Sequence, residues 1–162
     1  MNDDMFYSYK MRGEKMTIGQ RIKSIREEKG IKLCEIERET GVLSSTVANW
    51  ERENNIPRIR LIYKVAKMMG VSLDTVAGRT QRKKGIKNSR EKTIGQIIVK
   101  RMEEKGYTPK RLSEETGIWN STIYHYINDR REPHLLLLCS IADVLDMSLD
   151  DFIPEEWDDN NE

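Results

Sequence analysis

The sequence predicts an all-α fold built from two small helical domains, one a copy of the other, joined by a basic linker. Three observations predict it. Residues recur at a fixed shift of 76 without a gap: Thr17-Ile18-Gly19-Gln20 as Thr93-Ile94-Gly95-Gln96, Glu27-Glu28-Lys29-Gly30 as Glu103-Glu104-Lys105-Gly106, and Glu39-Thr40-Gly41 as Glu115-Thr116-Gly117. Ser45-Thr46, Pro57 and Ser72-Leu73-Asp74 return in register as Ser121-Thr122, Pro133 and Ser148-Leu149-Asp150. Within each copy, apolar residues come back at three- and four-residue intervals, the spacing of one helix face. Lys, Glu, Arg and Met are abundant while aromatic residues make up 7% of the chain, a balance that suits helices better than sheets. A gapless series of matches marks a duplicated unit rather than coincidence. The units span residues 17–78 and 93–153, with an N-terminal extension at 1–16, a linker at 79–92 and an acidic tail at 154–162.

Each unit reads as five short helices. In the first, Ile18, Ile22 and Ile25 form an apolar stripe along one helix, and Gly30 stops it. The second helix runs from about Leu33 to Glu39 with Ile36 inward, and Thr40-Gly41 makes a sharp turn. The third begins near Ser44 and turns Val47 and Trp50 to its buried side. Pro57 interrupts the chain before a fourth helix carrying Leu61, Ile62, Val65, Ala66 and Met69. Gly70 ends that helix, and Ser72 caps a short fifth one.

The second unit repeats the scheme with Ile94 and Ile98, Leu112, Ile123 and Tyr126, and then Leu137, Leu138, Ile141 and Leu145. Its second helix has Thr108 as N-cap and Pro109 at the first helical position, where a missing N–H costs nothing. Arg101 stands where Ile25 would face the core. Either that helix rotates to bury Met102 or the arginine reaches outward along its aliphatic stem.

Net charge is +1 for the 162 residues, but it is unevenly spread. The balance is +3 over residues 1–78, +6 over 79–92 and −8 over 93–162. A polyanion is therefore expected to meet the first half and its linker first, because phosphate binding follows local basic charge. The extension places Met5, Phe6, Tyr7 and Tyr9 among polar residues, as either a docking arm or a mobile tail. The tail surrounds Trp157 with Glu155, Glu156, Asp158, Asp159 and Glu162.

Two short helices joined by a tight glycine turn form the helix-turn-helix arrangement, whose second helix fits the major groove. The run Leu33-Cys34-Glu35-Ile36-Glu37-Arg38-Glu39-Thr40-Gly41-Val42-Leu43-Ser44-Ser45-Thr46-Val47-Ala48-Asn49-Trp50-Glu51-Arg52 is followed by Pro57, the apolar fourth helix and Gly70-Val71-Ser72-Leu73-Asp74. This ordered set closely resembles the lambda-repressor/Cro-like (XRE) helix-turn-helix family. Glu115-Thr116-Gly117-Ile118, Ser121-Thr122-Ile123, Tyr126 and Met147-Ser148-Leu149-Asp150 resemble it a second time. The resemblance covers nearly all of residues 17–77 and 93–153.

It implies a sequence-specific DNA-binding regulator with double-stranded DNA as partner. The third-helix positions that meet bases in the family are Ser44, Ser45, Ala48 and Asn49 in the first unit. Their counterparts in the second are Asn120, Ser121, Tyr124 and His125. Asn49 carries the donor and acceptor needed to read adenine, and Ala48 suits a thymine methyl. The following loop implies phosphate contacts by Arg52, Asn54 and Arg58, with Arg130, Arg131 and His134 as counterparts. From its own charge, the linker adds Arg79, Arg82, Lys83 and Lys84, which either hold phosphates or merely space two domains.

Several positions depart from the family pattern. Leu33 and Pro109 replace a phosphate-holding Gln, Glu37 replaces a small residue, and Leu43 and Trp119 replace the hydroxyl cap of the third helix. Ser44 or Asn120 would then cap one residue late. Glu53 and Asp129 stand where a glycine commonly ends the third helix.

Chemistry of other kinds finds no footing. His125 and His134 are the only two histidines, and neither cysteine has a histidine neighbour in a nucleophile pattern. Cys34 and Cys139 are expected as reduced, partly buried thiols. No catalytic residue, metal site, cofactor or small-molecule substrate is expected. With no long apolar stretch and no signal pattern, the expectation is a soluble cytoplasmic protein without a membrane partner. An alternative from another class is that only the first unit binds DNA. The acidic second unit, richer in aromatic residues, would then serve a homodimer or a protein partner, as in an antitoxin-like or adaptor protein.

Overall fold

The structure is a computed structural model that describes residues 16–79 and 92–159. Those residues form two compact, all-helical units. The extension up to residue 15 and the linker residues Arg82, Lys83 and Lys84 lie outside them.

The first unit contains α1 (Ile18–Glu28), α2 (Leu33–Thr40), α3 (Ser44–Glu51), α4 (Ile59–Met69) and α5 (Leu73–Ala77). Its core joins Ile22, Ile36, Val47, Trp50, Ile62, Val65, Met69, Leu73 and Val76, all buried. The repeated Thr-Ile-Gly-Gln string explains how α1 is started and seated. Thr17 Oγ1 accepts from the Gln20 N–H at 3.2 Å, and Gln20 Oε1 accepts from the Thr17 N–H at 3.1 Å, a reciprocal cap. Gly19 lies so close to α3 that a Cβ there would stand 2.2 Å from the Trp50 carbonyl oxygen. The α1–α3 crossing therefore requires glycine.

The repeated Glu-Thr-Gly string shapes the turn between α2 and α3. Thr40 Oγ1 donates to the Ile36 carbonyl at 2.7 Å and accepts from the Val42 N–H at 3.1 Å. Gly41 then reverses the chain at φ 72°, a conformation that costs other residues energy. At the far end of α3, Glu53 adopts φ 62° where glycine would be relaxed. Its carboxylate accepts the Thr17 hydroxyl at 2.7 Å, tying that end to the start of α1.

The second unit contains α6 (Ile94–Lys105), α7 (Pro109–Thr116), α8 (Asn120–Ile127), α9 (Leu135–Leu145), a 3-10 turn (Leu149–Phe152) and α10 (Glu156–Asp159). The same joints recur. A Cβ on Gly95 would stand 2.5 Å from the Tyr126 carbonyl oxygen. Asp129, at φ 54°, accepts from the Thr93 hydroxyl at 2.7 Å and the Gly95 N–H at 3.1 Å. Thr116 bridges Leu112 and Ile118 as Thr40 does Ile36 and Val42. Thr108 caps α7 through the Arg111 N–H at 3.2 Å, with Pro109 in the first turn as expected.

Three features differ from expectation. The fifth element of the second unit is a 3-10 turn, not an α-helix. Leu149 and Phe152, both fully buried, share one side at the three-residue period of that turn, and Pro154 has no N–H to continue an α-helical ladder. The acidic tail forms α10, with Ile153 and Pro154 buried before it. Cys34 is exposed, because Ile36 rather than its neighbour two residues earlier turns inward, while Cys139 is buried.

Arg101 resolves its two alternatives by combining them. Met102 is buried, and Arg101 donates through Nε to the Leu145 carbonyl at 3.2 Å and through Nη2 to that of Asp146 at 3.3 Å. A cation thus closes the C-terminal end of α9, where carbonyls lack intrahelical partners.

Candidate nucleic-acid interface

Helix α3 is pinned by Val47 and Trp50, both buried, and its opposite side is open. Ser45 is exposed; Ala48 and Asn49 are half-buried. Asn49 Oδ1 accepts a long contact of 3.4 Å from Asn54 Nδ2. Beyond the helix, Arg52, Asn54 and Arg58 are exposed, with Arg58 at the N-cap position of α4.

The start of α3 is held from outside the helix. Its N-cap is Leu43, which offers no side-chain acceptor. Instead, Glu37 Oε2 on α2 accepts both the Ser44 N–H at 3.0 Å and the Ser44 hydroxyl at 2.6 Å. The Ser44 hydroxyl, and then its N–H, hold the Glu37 carboxyl below the usual glutamate range. Two departures from the family pattern are therefore one arrangement: the acid on α2 performs the capping that Leu43 cannot. Because α3 begins at Ser44 and α8 at Asn120, with Leu43 and Trp119 as N-caps, the outward positions keep their register. The clue in the sequence was a carboxylate seven residues ahead of a helix start that lacks a hydroxyl.

In the second unit, α8 buries Ile123 and Tyr126 and leaves Asn120, Ser121, Tyr124 and His125 exposed. Burial pushes the Tyr126 phenol up to about 12. Arg130 and Arg131 are exposed after the helix, and His134 is half-buried. Here Ser113, the counterpart of Glu37, donates its hydroxyl to the Ile118 carbonyl at 2.6 Å instead of capping α8.

Sequence reasoning misses two cations on this unit, Lys110 and Arg111 in the first turn of α7. The Arg111 guanidinium lies 4.4 Å over the Tyr107 ring. It also donates to Glu115 Oε1 at 2.9 Å, while the Tyr107 hydroxyl donates to Oε2 at 2.7 Å. Their signal is weak because Glu114 and Glu115 cancel them in any running charge sum.

Arg79 sits apart from the open surface. Its side chain is 5% exposed and pairs with Asp74, itself 2% exposed. That pairing turns the guanidinium into the first unit, at the C-terminal end of α5. Among the described residues no group of acidic, histidine or cysteine side chains is placed to hold a metal ion. No described helix is long and apolar enough to cross a membrane.

Two glycine-turned helix pairs, each with a third helix anchored on one side and open on the other, define a helix-turn-helix protein. Residues 22–76 and 98–152 each match the helix-turn-helix family, and the chain belongs to that family, in its XRE type. It is similar to the immunity repressor protein of Bacillus phage phi105, with 30% identity over 92 residues, 55% of this chain and 62% of the relative. No solved structure matches it.

Proposed function

We propose that this chain is a sequence-specific DNA-binding transcription regulator that reads the major groove through α3, and through α8 as a second reading helix. The observation that carries it is the outward surface of α3. Ser45, Ala48 and Asn49 lie opposite Val47 and Trp50, and the exposed Arg52, Asn54 and Arg58 follow the end of the helix. A helix so placed presents short polar and methyl groups to base edges while the arginines beyond its C-terminal end meet phosphates. The relative's role as an immunity repressor favours repression as the outcome.

For the second unit, local charge argues for DNA. No acidic residue lies on α8, and the exposed Arg130 and Arg131 follow it in the chain. The acidic excess falls instead in the segment from Asp146 onward, which holds eight acids and no cation, and Asp129 is engaged by Thr93 and Gly95.

Selection of bound sites from a random duplex pool with the full chain tests the reading. Enrichment of one sequence is expected, its spacing reporting whether one or two reading helices engage. Asn49→Ala should flatten preference at one base position, by about 1–3 kcal/mol for a bidentate contact, with little change in non-specific affinity. A pool that emerges unenriched would refute the assignment.

A further inference from the structure

The described surface exposes few large apolar side chains, and they are not scattered. Of the four, Met16, Leu43, Trp119 and Tyr124, three stand on or at the start of α3 and α8. Leu43 and Trp119 are counterparts at the repeat shift of 76, and each is the N-cap of its third helix. They are 57% and 72% exposed. Neither can accept a hydrogen bond from the first turn, so each helix forgoes the side-chain cap that Ser, Thr, Asp or Asn would supply. In the first unit Glu37 takes over that task. The cap is moved elsewhere in the first unit and given up in the second, while both apolar residues stay outward, so burial in a core accounts for neither.

We propose that Leu43 and Trp119 are specificity-determining residues that read the C5-methyl groups of thymines. The inference rests on the assignment of α3 and α8 as reading helices. The first residues of such a helix approach base edges most closely. Of the four bases, only thymine presents a methyl group in the major groove, and apolar side chains contact it. Ser44, whose N–H and hydroxyl proton are both given to Glu37, has no donor left for that edge. The beginning of α3 therefore offers a base the methyl groups of Leu43, and the beginning of α8 offers the wider indole of Trp119.

Replacing thymine by uracil tests this directly, because it removes the methyl and leaves the Watson–Crick and groove hydrogen-bonding groups intact. The site enriched from the random pool is remade with each thymine changed singly to deoxyuridine and titrated with the full chain. A loss of about fourfold in affinity is expected at one thymine per half-site, the worth of one buried methyl group. Leu43→Ser should erase the penalty in one half-site and Trp119→Ser in the other, whereas Leu43→Met, which keeps an apolar reach, should retain it. Leu43→Ser installs a hydroxyl cap, so unfolding does not confound it.

Uracil tolerated throughout an enriched site overturns the inference and leaves the regulator assignment standing. A penalty that persists unchanged in both serine variants overturns it as well. So does a Trp119→Ser variant that no longer self-associates yet binds DNA as before, which would make the indole a protein contact. An unenriched pool overturns the assignment and this inference together.

Discussion

At the scale of single residues, the chain repeatedly uses an unexpected side chain to do a conventional job. Glu37 caps a helix to which it does not belong, and Glu53 and Asp129 occupy left-handed positions usually left to glycine because their carboxylates gain a threonine hydroxyl. A non-glycine residue in that region costs about 1–2 kcal/mol, a cost the new hydrogen bond offsets at about 1 kcal/mol. Glu37 gives a pH signature. Its carboxyl is lowered in the folded state by the Ser44 hydroxyl and N–H, so its contribution is present above the unfolded glutamate value and is lost as pH falls through the folded one. Glu37→Ala should therefore lower Tm near neutral pH. The difference from wild type should close as the solution is acidified below the ordinary glutamate range; an unchanged gap across that range would contradict the capping role.

At the scale of elements, the crossing of the first and third helices is the joint on which each third helix is mounted. Gly19→Ala places a methyl 2.2 Å from a backbone oxygen, which no rotamer can relieve. The substitution should cost about 2–3 kcal/mol by denaturant unfolding, near the upper end for overpacking, and Gly95→Ala should behave alike. A second joint differs between the units. Arg26 donates to Glu51 at 2.6 and 3.1 Å with both side chains largely buried. At the corresponding positions the second unit has Met102, buried, and Ile127, half-buried. An ion pair has thus been exchanged for an apolar pair on the same scaffold. Arg26→Met alone strands the Glu51 charge and should cost about 3 kcal/mol. Arg26→Met with Glu51→Ile should recover most of that loss, the remainder reflecting the Ile31 carbonyl that Arg26 also serves at 2.9 Å. A double variant no more stable than the single would show that the units do not share this packing rule.

At the scale of the whole molecule, net charge and the placement of charge point in different directions. The −8 balance of residues 93–162 argues against DNA binding by the second unit, yet α8 carries no acid and the exposed Arg130 and Arg131 follow it. Salt dependence distinguishes placement from sum, since each phosphate left without its cation reduces the slope of log affinity on log salt by about 0.9. Replacing Arg52 and Arg58 by alanine in the full chain should lower that slope by about 2, and so should replacing Arg130 and Arg131. A slope untouched by the second pair would return the second unit to a protein-binding role.

The duplicated architecture, the helix order and the inward residues were legible in the sequence because each rests on local rules. Periodic apolar residues, N-caps such as Thr108 and Ser72, and glycine stops act within a few positions of themselves. Tertiary structure alone decided what depends on neighbours remote in the chain. Glu37 reaches the start of another helix, Arg101 closes the end of α9, and Arg79 turns inward to Asp74 instead of outward to a phosphate. A charged side chain with several rotatable bonds takes the partner that packing brings within reach, and linear order does not encode that distance.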